Sequence, residues 1–329
     1  MKKIISKRRA CCQGARTSTG MNETSGNGTN PLCRTLLPNT IGRLSQTIIG
    51  YTGILFVLFN VMSNVLLIFA LHKSKQLRTF SNKIILLMSI SDLSFGIFVL
   101  PVLAMFWITG KQRNCLELKT VEILTVFFGY VTCFTIICIS VDRYLHVTKP
   151  ARYQTLMNSR RRTVSVVLCL VTGFLTAVIC AVVASFYQQL IMGIVNIILI
   201  TIFLILNIKS HKTLERHQKN MVVRFQPAKQ LNINDTNHTR EKLAAVKTIR
   251  SILSMFLICY CPYNIASVMW TYHRFETESA PGVVLDTFYE WSCILMFSGT
   301  FLNSLIIIRG NSKCRKFVLS LLCKISVDN

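Results

Sequence analysis

The chain has 329 residues, 51% of them hydrophobic and only 15% charged, with mean hydropathy +0.47. That balance excludes a soluble globule. Its net charge of +24 sits in connections between apolar runs without the aromatic interleaving of a nucleic-acid face, so nucleic acid is excluded as a partner too.

A helix needs about 20 apolar residues to cross a bilayer core. Windows of that kind centre near Leu58, Leu93, Phe128, Leu170, Ile198, Phe256 and Met296, which predicts an all-α, seven-transmembrane-helix bundle. In lipid every backbone polar group must be bonded internally, and long apolar runs achieve this only as helices. Three segments follow: an extracellular tail over 1–45, the bundle over 46–308, and an amphipathic helix with a cytoplasmic tail over 309–329.

Within the tail, residues 1–20 are strongly basic, at odds with an outside location, and Met21 is the expected natural start. Asn22-Glu-Thr24 and Asn27-Gly-Thr29 are glycosylation acceptors. The first span runs over 46–71 with the amide Asn64, and the second over 82–106 with Asp92 at mid-depth. Trp107 to Gly110 reads as a tight outer turn, and the third span follows over 118–144. The fourth and fifth share 164–207, which leaves only a few connecting residues around Ser185–Gln189. The polar stretch 209–241 reads as a mobile connection. The sixth span covers 241–272 and bends at Pro262, where the carbonyl one turn earlier loses its donor. The seventh covers 284–308. Beyond it, 311–324 sets Phe317, Leu319, Leu321 and Leu322 among lysines and arginines, the pattern of a helix lying on the membrane.

Lysines and arginines collect in alternate connections: 73–83, 149–162, 209–250 and the tail from Arg309. The positive-inside rule makes those four cytoplasmic and the N-terminus extracellular. Most of the thirteen cysteines fall within spans, where small soft side chains pack. Cys33 and Cys115 are left as the one pair on the oxidising side, so they are expected to be joined. No spacing fits zinc.

Asp142-Arg143-Tyr144 closes the third span and opens a basic segment that includes Lys149-Pro150. Charge there is costly unless it reaches water or a partner. The reading is either snorkelling at a helix end or an arginine locked by its neighbouring acid and presented to a cytoplasmic protein. Asp-Arg-Tyr followed by Lys-Pro resembles the third-helix signature of rhodopsin-like G-protein-coupled receptors. The run Leu-Leu-Met-Ser-Ile-Ser-Asp92-Leu matches that family's second helix, and Thr132 falls at its hydroxyl position in the third.

The resemblance implies that Asp92, with Asn64, Thr132 and Asn303, forms a sodium- or proton-sensitive centre; no other cofactor is expected. Gly299 replaces a frequent polar ligand there. Cys259-Tyr260-Cys261-Pro262 resembles the family's Cys-Trp-x-Pro switch, with Tyr260 for tryptophan beside Pro262. Asn303-Ser304 begins a seventh-helix motif that lacks its proline and tyrosine. The usual sixth-helix acid is displaced, with Lys242 in its place and Glu241 beside it.

An opsin needs a lysine in the seventh span, where this chain offers Phe297. Monoamine receptors of the family carry an aspartate where this chain has Thr125. The short outer connection and the fifth span without proline resemble the melanocortin–cannabinoid branch. There Glu122 matches a helix-3 acid, although Val102 and Leu118 replace its companions.

On the outer side Glu117, Glu122, Glu276, Glu278, Asp286 and Glu290 are either solvated groups balanced by Lys111, Arg113, Lys119 and Arg274, or a negative funnel for cationic ligands. Glu122 and Glu290 stand at span ends as contact candidates, with Thr125, Gly129, Tyr263, Asn264 and Ser267 lining the same cavity. The expectation is a multi-pass plasma-membrane receptor, not an enzyme, that turns binding of an extracellular ligand (a cationic peptide or amine, with lipid as the alternative) into heterotrimeric G-protein activation. A non-signalling decoy and an ion-coupled transporter are the alternatives; broken inverted repeats would mark the latter.

Overall fold

The computed structural model describes residues 42–73, 80–110, 115–149, 152–183, 185–225, 251–252, 254–273 and 282–327. The acceptors Asn22 and Asn27, Cys33, the pair Glu241 and Lys242, and the acids Glu276 and Glu278 lie outside them. So do the side chains of Cys115 and Arg143. Among the described residues there are helices and no strands.

The first helix, α1, spans Arg43–Lys73. Phe80–Phe98 (α2) and Leu100–Thr109 (α3) follow, separated only by Val99 at φ −104° and ψ −54°. A continuous helix over 82–106 is thus corrected to two joined pieces. Pro101 in the first turn of α3 has no N–H, so the Ile97 carbonyl one turn back goes unanswered, and the ladder breaks there. The expected outer turn at Trp107–Gly110 is also corrected. Trp107 to Thr109 are still helical, and the chain turns at Gly110, whose φ of 59° is left-handed and caps α3 through its N–H to the Phe106 carbonyl.

Helix α4 covers Cys115–Thr148 and ends beyond Tyr144, and the single turn α5 covers Tyr153–Leu156. Helix α6 spans Ser159–Val182, opened by Asn158, whose side chain accepts from the Arg161 N–H. Helix α7 spans Ser185–Phe225. Residues 185–189, expected as connection, begin this helix, so only residues 183 and 184 join α6 to α7. At its inner end α7 continues through the polar run expected to be mobile from residue 209, and no proline or glycine interrupts it. Residues 254–273 form α8, which stays helical through Pro262. Val283–Gly310 (α9) and Ser312–Val327 (α10) complete the described chain.

Six of these segments are long and apolar enough to cross a membrane: 43–73, 82–109, 116–146, 163–182, 191–210 and 283–310. Helix α4 packs against α2, α6 and α7, while α1 packs against α2, α3 and α9. Small residues set the closest approaches, as expected where lipid offers helices no hydrophobic reason to associate. A Cβ on Gly173 of α6 would stand 2.6 Å from Val131 Cγ2 of α4, and one on Gly50 of α1 would stand 2.5 Å from Ile108 Cγ1. Outward faces of α1, α6 and α7 remain apolar, with Leu58, Phe174 and Ile197 each more than half exposed. Such faces suit lipid.

Candidate functional site

The C-terminal end of α4 carries Asp142, which is buried at 1% exposure. The hydroxyl of Tyr153 in α5 donates to its Oδ1 at 2.6 Å, and the His146 ring packs edge-on against Tyr153, centroids 4.8 Å apart. Tyr144 is half-buried nearby in sequence. Tyr153 carried no family motif in the sequence. Its role becomes visible only once α5 folds back on α4.

In mid-bundle, Thr132 of α4 donates its hydroxyl to Asp92 Oδ1 of α2 at 2.7 Å. Asn303 of α9 stands beside the same carboxyl group, yet Oδ2 is buried without a hydrogen bond of ordinary geometry. Asn64 is not part of this centre. Its amide donates to the Asn60 carbonyl at 3.0 Å and to the Thr300 carbonyl at 3.4 Å, and it accepts from the Ser304 hydroxyl at 2.5 Å. Asn60 adds a second tie, donating to Thr300 Oγ1 at 2.5 Å. The four expected core residues therefore divide: Asp92, Thr132 and Asn303 meet, while Asn64 bonds α1 to α9.

Between α2, α4, α7, α8 and α9 lies a cavity of about 90 Å³. Thr125, Gly129, Tyr260 and Tyr263 line it, as do Phe95, Phe128, Phe297, Met192 and Asp92. Gly129 opens it, since a Cβ there would meet nothing within 4 Å. Tyr260 stacks on Phe256 at 4.2 Å, and its ring edge lies where a Cβ on Gly299 would make contact at 3.5 Å. Glycine at that position offers no side-chain oxygen to the centre, and a Cβ there would make only ordinary contact with the tyrosine. A polar chain crosses three helices beside the cavity. Tyr130 donates to Asn196 Oδ1 at 3.0 Å, Asn196 donates to Asn264 Oδ1 at 2.9 Å, and Asn264 donates to the Tyr260 carbonyl at 2.9 Å. Sequence reading named Asn264 but missed Tyr130 and Asn196, because a lone amide in an apolar run gives no hint of its partner. Ser267 is buried one turn further out on α8, away from the lining.

Toward the outer ends the acids are already engaged. Glu122 accepts from Lys119 on its own helix at 3.0 Å, and the same ammonium reaches the Cys180 carbonyl at 3.3 Å. Glu290 is 2% exposed and accepts the indole N–H of Trp107 at 2.8 Å. Asp286, one turn outward, accepts from Trp270 at 3.0 Å. These two indole bonds tie the outer end of α9 to α3 and α8.

The geometry is that of a bundle of long apolar helices with a small cavity inside it and a buried acid, Asp142, toward the C-terminal end of α4. Comparison with known proteins points to a family. The family model described as 7 transmembrane receptor (rhodopsin family) matches residues 63–189. The histamine H2 receptor of Cavia porcellus is 24% identical over 292 residues, 82% of this chain and 78% of the relative. The alpha-1A adrenergic receptor of Oryzias latipes is 27% identical over 151 residues, covering 44% of this chain and 31% of the relative. Octopamine receptor 1 of Lymnaea stagnalis is 34% identical over 110 residues, covering 32% and 17%. Thus the chain spans most of the histamine receptor's length but under a third of the other two. Over residues 63–189 the chain is thus similar to the rhodopsin-like, class A family of G-protein-coupled receptors, which are not enzymes. The matches do not single out the melanocortin–cannabinoid branch.

Proposed function

We propose that the chain is a plasma-membrane receptor that binds a small extracellular ligand in the cavity and activates a heterotrimeric G protein at its opposite end. The observation that carries this is the shared use of α4: it lines the cavity with Thr125 and Gly129 and carries Asp142-Arg143-Tyr144 five turns further along. A ligand that prefers one arrangement of α4, α7 and α8 shifts the population of bundle conformations.

On this reading α8 is the sixth span and completes a set of seven, α10 lies along the cytoplasmic face, the N-terminus is outside and the C-terminus inside. Support for α10 comes from the Phe317 ring meeting Phe69 of α1 at 5.4 Å while Arg315 and Lys316 point to solvent. Tyr260 and Pro262 form the switch. Glycans at Asn22 and Asn27 and a Cys33–Cys115 bridge complete the outer side. A sodium ion beside Asp92 would find the side-chain oxygens of Asp92, Thr132 and Asn303, while Asn64 is committed elsewhere and Gly299 has none. The decoy and transporter alternatives draw no support from the relatives, all named as receptors.

Arg143→Ala tests the reading. Cells expressing it are expected to keep surface receptor and lose second-messenger output. Equal output from mutant and wild type at matched expression would end the assignment.

A further inference from the structure

Four carboxylates are buried among the described residues: Asp92, Asp142, Asp286 and Glu290. Three of them take a hydrogen bond from an aromatic donor on another helix, through Tyr153, Trp270 and Trp107. Asp92 differs. Its Oδ1 takes the Thr132 hydroxyl and Asn303 stands beside the carboxyl group, but its Oδ2, in a side chain at 1% exposure, takes no hydrogen bond of ordinary geometry. It is also the one ionisable carboxylate of the cavity lining, and no lysine, arginine or histidine lines the cavity with it. Carboxylates inside membranes are normally paired. This one faces a cavity with its pairing incomplete.

The surroundings narrow the missing partner. Phe95 and Phe297 meet at 5.2 Å, and with Phe128, Tyr260 and the Cys133 thiol they make the lining aromatic and soft. A hard metal cation collects several oxygens, whereas an ammonium group attached to a hydrocarbon is held by one carboxylate and the faces of aromatic rings. The two other α4 positions considered for a cation are engaged. Thr125 is neutral, its hydroxyl turned to the Val121 carbonyl at 2.7 Å, and Glu122 is engaged by Lys119. The enclosed space suits a compound smaller than the drug-sized ligands whose sites run to about 300–1,000 Å³, at about 90 Å³ here.

We infer that Asp92 is the counter-ion for the ligand, and that the cavity takes a small organic ammonium compound whose nitrogen sits against Asp92 and whose apolar part lies among Phe95, Phe297 and Tyr260. The ligand is therefore held deeper than Thr125, at the same carboxylate that the sodium reading would use. This inference rests on the reading of the cavity as the receptor's ligand site.

Full-length receptor in lipid nanodiscs tests it by thermal unfolding, with benzylamine, its neutral analogue benzyl alcohol, and sodium chloride as probes. Benzylamine is expected to raise the unfolding temperature saturably and benzyl alcohol to have a much smaller effect. Asp92→Asn is expected to weaken the benzylamine response by about tenfold or more, because a buried charge loses its partner. Glu122→Gln should leave that response in place. If Asp92→Asn does not fold, Gly129→Leu, which fills the cavity from an open position, should abolish the response instead. Equal stabilisation by benzyl alcohol overturns the inference, as does stabilisation by sodium alone, or a benzylamine response that survives both Asp92→Asn and Gly129→Leu. The assay contains no G protein, so its failure leaves the Arg143→Ala test standing, and the converse holds.

Discussion

At the scale of single residues, the informative groups are polar atoms whose partners come from another helix. Asp142 is the clearest. Its Oδ1 takes the Tyr153 hydroxyl at 2.6 Å, and a buried acceptor that loses its donor costs about 1–3 kcal/mol. Tyr153→Phe should therefore loosen the inner end of α4 and raise basal nucleotide exchange on a reconstituted G protein. Adding Arg143→Ala should remove that excess. Basal exchange no higher than wild type would show that Tyr153 only packs. Gly129 gives a second prediction. Glycine within a helix is destabilising by roughly 0.5–1 kcal/mol relative to alanine, and here the added methyl meets open space. Gly129→Ala should raise the unfolding temperature slightly while weakening the agonist response, and a fall in stability would contradict the open cavity. Sequence alone exposed Asp142 and Asp92, because charge in an apolar run is costly wherever it folds. It could not expose Tyr153, Tyr130 or Asn196, whose partners are set by how helices meet. For the same reason it grouped Asn64 with Asp92, when Asn64 serves the α1–α9 contact.

At the scale of elements, composition read the spans well and their ends poorly. Apolar runs fix where a helix must cross lipid, but nothing in lipid demands that it stop at the surface. Helix α7 accordingly runs to Phe225, well past the apolar stretch. The break between α2 and α3 was written in Pro101, whose missing N–H costs one rung of the ladder. The two indole–carboxylate bonds were not legible, since Trp107 and Trp270 lie far in sequence from Glu290 and Asp286. They predict that Trp107→Phe destabilises the outer end of α9 by about 1–3 kcal/mol, more if the carboxylate stays charged. A lowered unfolding temperature for Trp107→Phe, with a smaller fall in the double variant Trp107→Phe/Glu290→Gln, is the expected pattern. Additive losses would mean that the bond contributes nothing of its own.

At the scale of the whole molecule, one feature of the sequence governs both orientation and access. Basic groups gather at one end of the bundle: Lys73 ends α1, Lys149 follows α4, Arg160 and Arg161 open α6, and Arg315 and Lys316 lie on α10. On the proposed orientation, which the positive-inside rule supports, that end is cytoplasmic. The opposite end then carries the connection between α6, which ends at Val182, and α7, which begins at Ser185, so the chain between these two helices is too short to form a lid. Orientation and open access stand or fall together. An epitope appended to the N-terminus should be stained on intact cells, and one appended after Asn329 only after permeabilisation. The reverse pattern would put the Asp142 end outside, where no G protein could reach it, and would remove the basis for an extracellular ligand as well.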